Sequence, residues 1–68
     1  MHLTDRMNLE AVPVSCDYEV RGDTVTIWNV RIAGIDMNLF PTDVQDEAIS
    51  FLQIVARDHD MRRRDVAF

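Results

Sequence analysis

From Val12 to Val20 apolar and polar positions alternate without a break. Val12, Val14, Cys16, Tyr18 and Val20 are apolar, and Pro13, Ser15, Asp17 and Glu19 lie between them. A side-chain period of two predicts a strand with one buried and one wet face. Asp17 and Glu19 then share the wet face. Pro13 places its missing N–H at an edge or facing outward.

Arg21-Gly22-Asp23 supplies turn chemistry, and a second strand follows over Thr24–Ile32. Its pattern changes phase: Val25 and Ile27 are apolar at odd positions, and Trp28, Val30 and Ile32 at even ones. Two registers account for this. A two-residue Gly22-Asp23 turn with one extra residue at Trp28-Asn29 sets Asp17 against both, which is a β-bulge. A three-residue loop instead pairs Tyr18 with Thr26 and turns Val25 and Ile27 outward. The bulge is preferred because it keeps the aliphatic residues on one face. Ala33-Gly34 opens another turn. Ile35, Met37 and Leu39 alternate with Asp36 and Asn38, which predicts a short third strand with Arg31 opposite Asp36. Ala is a poor residue for a left-handed turn position, so a looser loop stays open as well.

Thr42 reads as a helix N-cap, with Gln45 completing a capping box. Asp43, Asp46 and Glu47 suit the positive end of the helix dipole. Val44, Ala48, Phe51, Leu52 and Val55 recur at helical spacing and predict the core stripe, while Asp46, Ser50, Gln53, Arg57 and Asp60 form the wet face. The i,i+4 pairs Asp58–Arg62 and Asp60–Arg64 carry the helix to about residue 62. Leu3, Met7 and Leu9 fit either a short extra strand or a helical turn. The reading is thus α+β: a three-stranded antiparallel β-meander with one C-terminal helix packed on it, in order βββα. Residues 1–68 form a single small domain, with 1–10 and 63–68 as mobile ends.

Composition narrows the function more by exclusion than by assignment. The formal charge is −5, with nine acids against three arginines in residues 1–56 and four arginines against three acids in 57–68. Such a balance disfavours direct nucleic-acid binding, whose affinity rests on phosphate neutralisation. It suits a partner with a basic surface. Cys16 is the only cysteine, so no internal disulfide forms, and a reducing, cytoplasmic setting is expected. No apolar run reaches membrane-spanning length.

Candidate chemistry is thin. Cys16 sits on an apolar face among acids, the opposite of an activated thiol. His59 between Asp58 and Asp60 resembles a metal cluster, but adjacent helix residues diverge by about 100°. The acid pairs Asp46-Glu47 and Asp17-x-Glu19 lack a pocket that would separate their pKa values. Gly22 and Gly34 are the only glycines, so no phosphate loop exists. Arg62, Arg63 and Arg64 read as a charge-balanced helix end. Neither catalysis, metal nor cofactor is expected. Trp28, at the phase change, fits a core cap or an exposed anchor. The acidic set Asp17, Glu19, Asp23, Asp36, Asp43, Asp46 and Glu47 fits solubility or a charged binding face. Ile54 and Met61 form a second apolar stripe suited to a homodimer, which a core this small favours.

In its short length, its Val-x-Cys-x-Tyr-x-Val strand, its Val30-x-Ile-x-Gly34-Ile-Asp hairpin and its late helix with an acidic start, the chain resembles small acidic accessory proteins of bacteriophages and mobile elements. That family includes anti-CRISPR inhibitors, several of them DNA mimics. The Arg-rich end departs from a uniformly acidic mimic. The resemblance implies a non-enzymatic inhibitor in the host cytoplasm. It would bind a basic, nucleic-acid-binding surface of a host defence complex, such as a CRISPR effector subunit, through Asp17, Glu19, Asp23, Trp28, Asp36, Asp43, Asp46 and Glu47. The alternative is a small homodimeric structural or adaptor domain whose acidity serves solubility.

Overall fold

A computed structural model describes residues 1–66, with side chains through residue 63; the Asp60–Arg64 pair and the tail at 65–68 lie outside the described side chains. The elements are β1 (His2–Met7), β2 (Val12–Arg21), β3 (Thr24–Ile32), β4 (Ile35–Asp36), a 3₁₀ turn (Met37–Leu39) and α1 (Thr42–Val66). The strands form one antiparallel sheet in chain order, and α1 packs on one face of it.

The sheet therefore has four strands, one more than the sequence pattern gave. The extra strand is β1, which pairs with β2 from His2↔Asp17 to Met7↔Val12. Its buried residues, Leu3 and Met7, are four apart, and Asp5 between them stays exposed, so no alternation announces a strand. Pairing decides instead: the Met1 and Tyr18 backbones exchange two hydrogen bonds, 2.7 and 3.1 Å long. Asn8 at φ 60° and Ala11 at φ 55° turn the chain between β1 and β2, with Asn8 Oδ1 accepting from Glu10 N at 3.0 Å. Pro13 lies in a strand with neighbours on both sides. Pairing with β3 ends at Val14↔Ile32, so its missing N–H falls where the next turn begins.

The bulge register is the one that forms. Val20 faces Val25, Tyr18 faces Ile27, Asp17 faces Trp28 and Val14 faces Ile32, with the shift between Ser15 and Asp17. Asn29 takes the extra position at φ 56°, a left-handed conformation that Asn tolerates better than branched residues. Gly22 supplies φ 58° at the first hairpin. The second hairpin is tight despite its alanine, with Ala33 at φ 54° and Gly34 at φ 79°.

The third expected strand is cut to Ile35–Asp36. The Asp36 carboxylate accepts from Asn38 N at 2.9 Å, and this local bond competes with the ladder and turns the chain into the 3₁₀ segment. Arg31 does lie opposite Asp36, but the carboxylate is committed to the turn. The Thr42 capping box is absent as well. Thr42 is the first helical residue, Pro41 O accepts the Gln45 amide at 3.0 Å, and Gln45 Nε2 reaches back to Phe40 O at 2.9 Å. The helix runs to Val66, past the expected stop near 62. Asp58 and Arg62 pair at 3.2 Å just before this extension.

Among the described residues of α1, Ala48, Leu52 and Ala56 are fully buried, with Val44, Phe51 and Val55 half-buried beside them. Small alanines at 48 and 56, on either side of Leu52, let the helix sit close on Leu3, Met7, Val14, Cys16, Tyr18, Val30 and Ile32. The other face of the sheet carries no helix.

Candidate functional site

Strand alternation sends Ser15, Asp17 and Glu19 of β2 to the helix-free face, opposite Arg31, Trp28 and Thr26 of β3. Trp28 is thus no core cap: it stands 46% exposed among polar side chains. The bulge puts it there, because the extra residue at Asn29 returns Val30 and Ile32 to the core while Trp28 stays on the outer side.

The acids on this face are engaged within the chain. Asp17 accepts from Asn29 Nδ2 at 3.2 Å and lies 3.1 Å from His2 Nδ1. Those two hydrogen bonds, Asn29's first, hold its carboxyl below the usual carboxylate range. Glu19 pairs with Arg21. Arg6, Arg21 and Arg31 share the face by alternation, so it is charge-balanced rather than acidic. Asp23 sits in the hairpin turn, where its carbonyl accepts from Arg57 Nη2 at 2.6 Å and ties the turn to α1.

The other four candidates follow β3 in the chain, Asp36 lying opposite Arg31. Asp36 heads the 3₁₀ turn. Asp43, Asp46 and Glu47 occupy the exposed side of the first turns of α1 and make no ion pair or side-chain hydrogen bond among the described residues. The structure therefore divides the expected acidic set in two and leaves only the helix-start group uncompensated.

Cys16 is fully buried, and burial and then the nearby Asp17 charge push its thiol up to about 11, leaving it protonated and unreactive. His59 turns toward the sheet, and its Nδ1 lies 2.7 Å from Tyr18 Oη. Among the described residues no group of three or more His, Cys, Asp or Glu could hold a metal ion, and no helix is long and apolar enough to cross a membrane.

One feature escaped the sequence reading. β4 pairs only with Arg31 and Ile32, so β3 is an open edge from Thr24 to Val30. Beside it runs a groove of about 590 Å³ lined by Val25, Ile27, Trp28, Met37, Ile49 and Gln53. The uncharged run Thr24–Val30 was its signal. No family model, curated protein or solved structure matches the chain.

Proposed function

We propose that the chain is a non-enzymatic acidic inhibitor that engages a basic, nucleic-acid-binding surface of a host defence complex in the manner of a DNA mimic. The observation that supports this reading is the uncompensated helix-start group Asp43, Asp46 and Glu47. Its carboxylates are exposed and have no ion pair or side-chain hydrogen bond among the described residues, whereas Asp17 and Glu19 already have partners within the chain. Free carboxylates on a rigid helix start offer a basic surface fixed negative charge. Trp28, exposed on the sheet, adds an aromatic anchor.

The test is competition with DNA for a purified CRISPR effector complex at low and high salt. Wild-type protein should displace DNA at low salt, weakly at high salt. Reversing Asp43, Asp46 and Glu47 to Arg should abolish displacement and leave the fold intact. Displacement that survives both the reversal and high salt overturns the reading. A second reading, the homodimeric adaptor, draws support from the open β3 edge.

A further inference from the structure

Tyr18 uses both its backbone N–H and its C=O on Met1, across the β1 side of β2. Ile27, which faces Tyr18, is therefore in a non-hydrogen-bonded pair, and its own N–H and C=O point away from β2. Val25, two residues earlier, points the same way. Four backbone groups thus face the open edge. Proteins commonly blunt such edges with charge or proline. Here Thr24-Val-Thr-Ile-Trp-Asn-Val30 contains neither, although the chain is 28% charged.

A second exposed feature lies on the same side. Ile54 is 73% exposed on the flank of α1 that borders this edge, where it shares a depression with Val25, Gln53 and Arg57. Edge and helix flank together need one occupant.

We infer that the occupant is a second copy of this chain, joined by antiparallel β3–β3 pairing about a twofold axis at Thr26. This rests on the homodimer reading and gives it a surface and a symmetry. Three relationships select it. Pairing about Thr26 sets Val25 against Ile27 of the other copy, twice, so all four outward backbone groups find partners. Asp23 precedes the open edge and Arg31 follows it. Antiparallel pairing brings unlike ends together, and parallel pairing would bring like ends together. Lastly, α1 packs over β2 and β3, about one strand spacing from the proposed axis. The two helices would then run about 10 Å apart, a normal helix-packing distance, with Ile54 between them. The result is an eight-stranded sheet with both helices on one face, and the interface closes on itself.

Sedimentation velocity of the full chain, from low to high micromolar, is the first test. The wild type should reach twice the 7.9 kDa chain mass. Thr26→Arg and Thr26→Asp each place like charges on the axis and should be monomeric, while their mixture should form a heterodimer. Ile54→Asp, on the helix surface, should weaken self-association roughly tenfold or more. Amide exchange needs no variant: Val25 and Ile27 should gain protection as wild-type concentration rises. A wild-type monomer throughout overturns both the homodimer reading and this surface, including where an added extended peptide protects the edge instead. A dimer indifferent to Thr26→Arg and Ile54→Asp, with Val25 and Ile27 exchanging freely, overturns the surface and leaves the homodimer reading standing.

Discussion

Tyr18 Oη lies 2.7 Å from His59 Nδ1, and the two rings meet edge to face at 87° with centroids 5.8 Å apart. The contact joins the centre of the sheet to the late turns of α1 across 41 residues of sequence. Tyr18 is 1% exposed, so its hydroxyl depends on this partner. His59→Ala leaves a buried hydroxyl unsatisfied and should cost about 1–3 kcal/mol. Tyr18→Phe removes the hydroxyl itself and should cost less, about 0.5–1.5 kcal/mol. Urea unfolding of both variants and the double variant measures the coupling. Wild-type stability in both single variants would show that the bond contributes nothing.

Leu52 is fully buried between Ala48 and Ala56 on the helix. Leu52→Ala removes the one large side chain of that stripe and should cost about 2–5 kcal/mol. That is a large share of what a domain this size can have. Thermal unfolding reads it; an unchanged midpoint would mean the stripe does not pack as described.

Two left-handed residues make opposite predictions. Asn29→Val puts a branched side chain at φ 56° and removes the donor to Asp17, and should destabilise by about 1–3 kcal/mol. Ala33→Asn, at φ 54°, places a residue suited to a tight hairpin next to Gly34 and should stabilise by roughly 1 kcal/mol. Denaturation midpoints that move together, or with the signs exchanged, would count against the turn geometry.

The buried thiol of Cys16 makes one contribution to the alkaline pH dependence of stability. Its pKa rises from 9.0 to about 11 on burial. The folded state therefore keeps its proton where the unfolded state has lost it. This contribution to stability is full below pH 9 and is lost as pH climbs toward 11. Asp17 acts at the other end: its pKa is lowered, so its contribution is present above the ordinary carboxylate range and is lost as pH falls through its folded pKa. Unfolding free energy measured across pH for the wild type and Cys16→Ala separates the alkaline limb. Disulfide-reagent labelling at pH 8 should be slow in native protein and fast in urea. Equal rates would place the thiol on the surface.

How much of this was legible in the sequence differs by element. β2 and β3 were, down to the bulge, because a period of two and its phase break are properties of single side chains. β1 was not, because only Leu3 and Met7 turn inward and the deciding bonds run between Met1 and Tyr18, seventeen residues apart. The Thr42 cap failed because Gln45 found Phe40 O instead, a competition between local partners that residue types do not rank. At the candidate site, exposure of the acids was legible and their partners were not. Asn29 beside Asp17 is a matter of register, and Arg21 beside Glu19, two residues along one strand, is a matter of side-chain rotamer. The open β3 edge needed the length of β4, which the Asp36 turn sets.

The single extra residue at Asn29 makes β3 a strand of two phases. Before it, odd-numbered side chains look toward the helix; after it, even-numbered ones do. Deleting Asn29 would join the two halves in one phase, and whichever half kept its register, the other would turn inside out. Either Val30 and Ile32 would be delivered to water, or Val25 and Ile27 would. One residue of length therefore separates a strand that seals the core from one that exposes half of its apolar surface, and change at this position is confined to substitution.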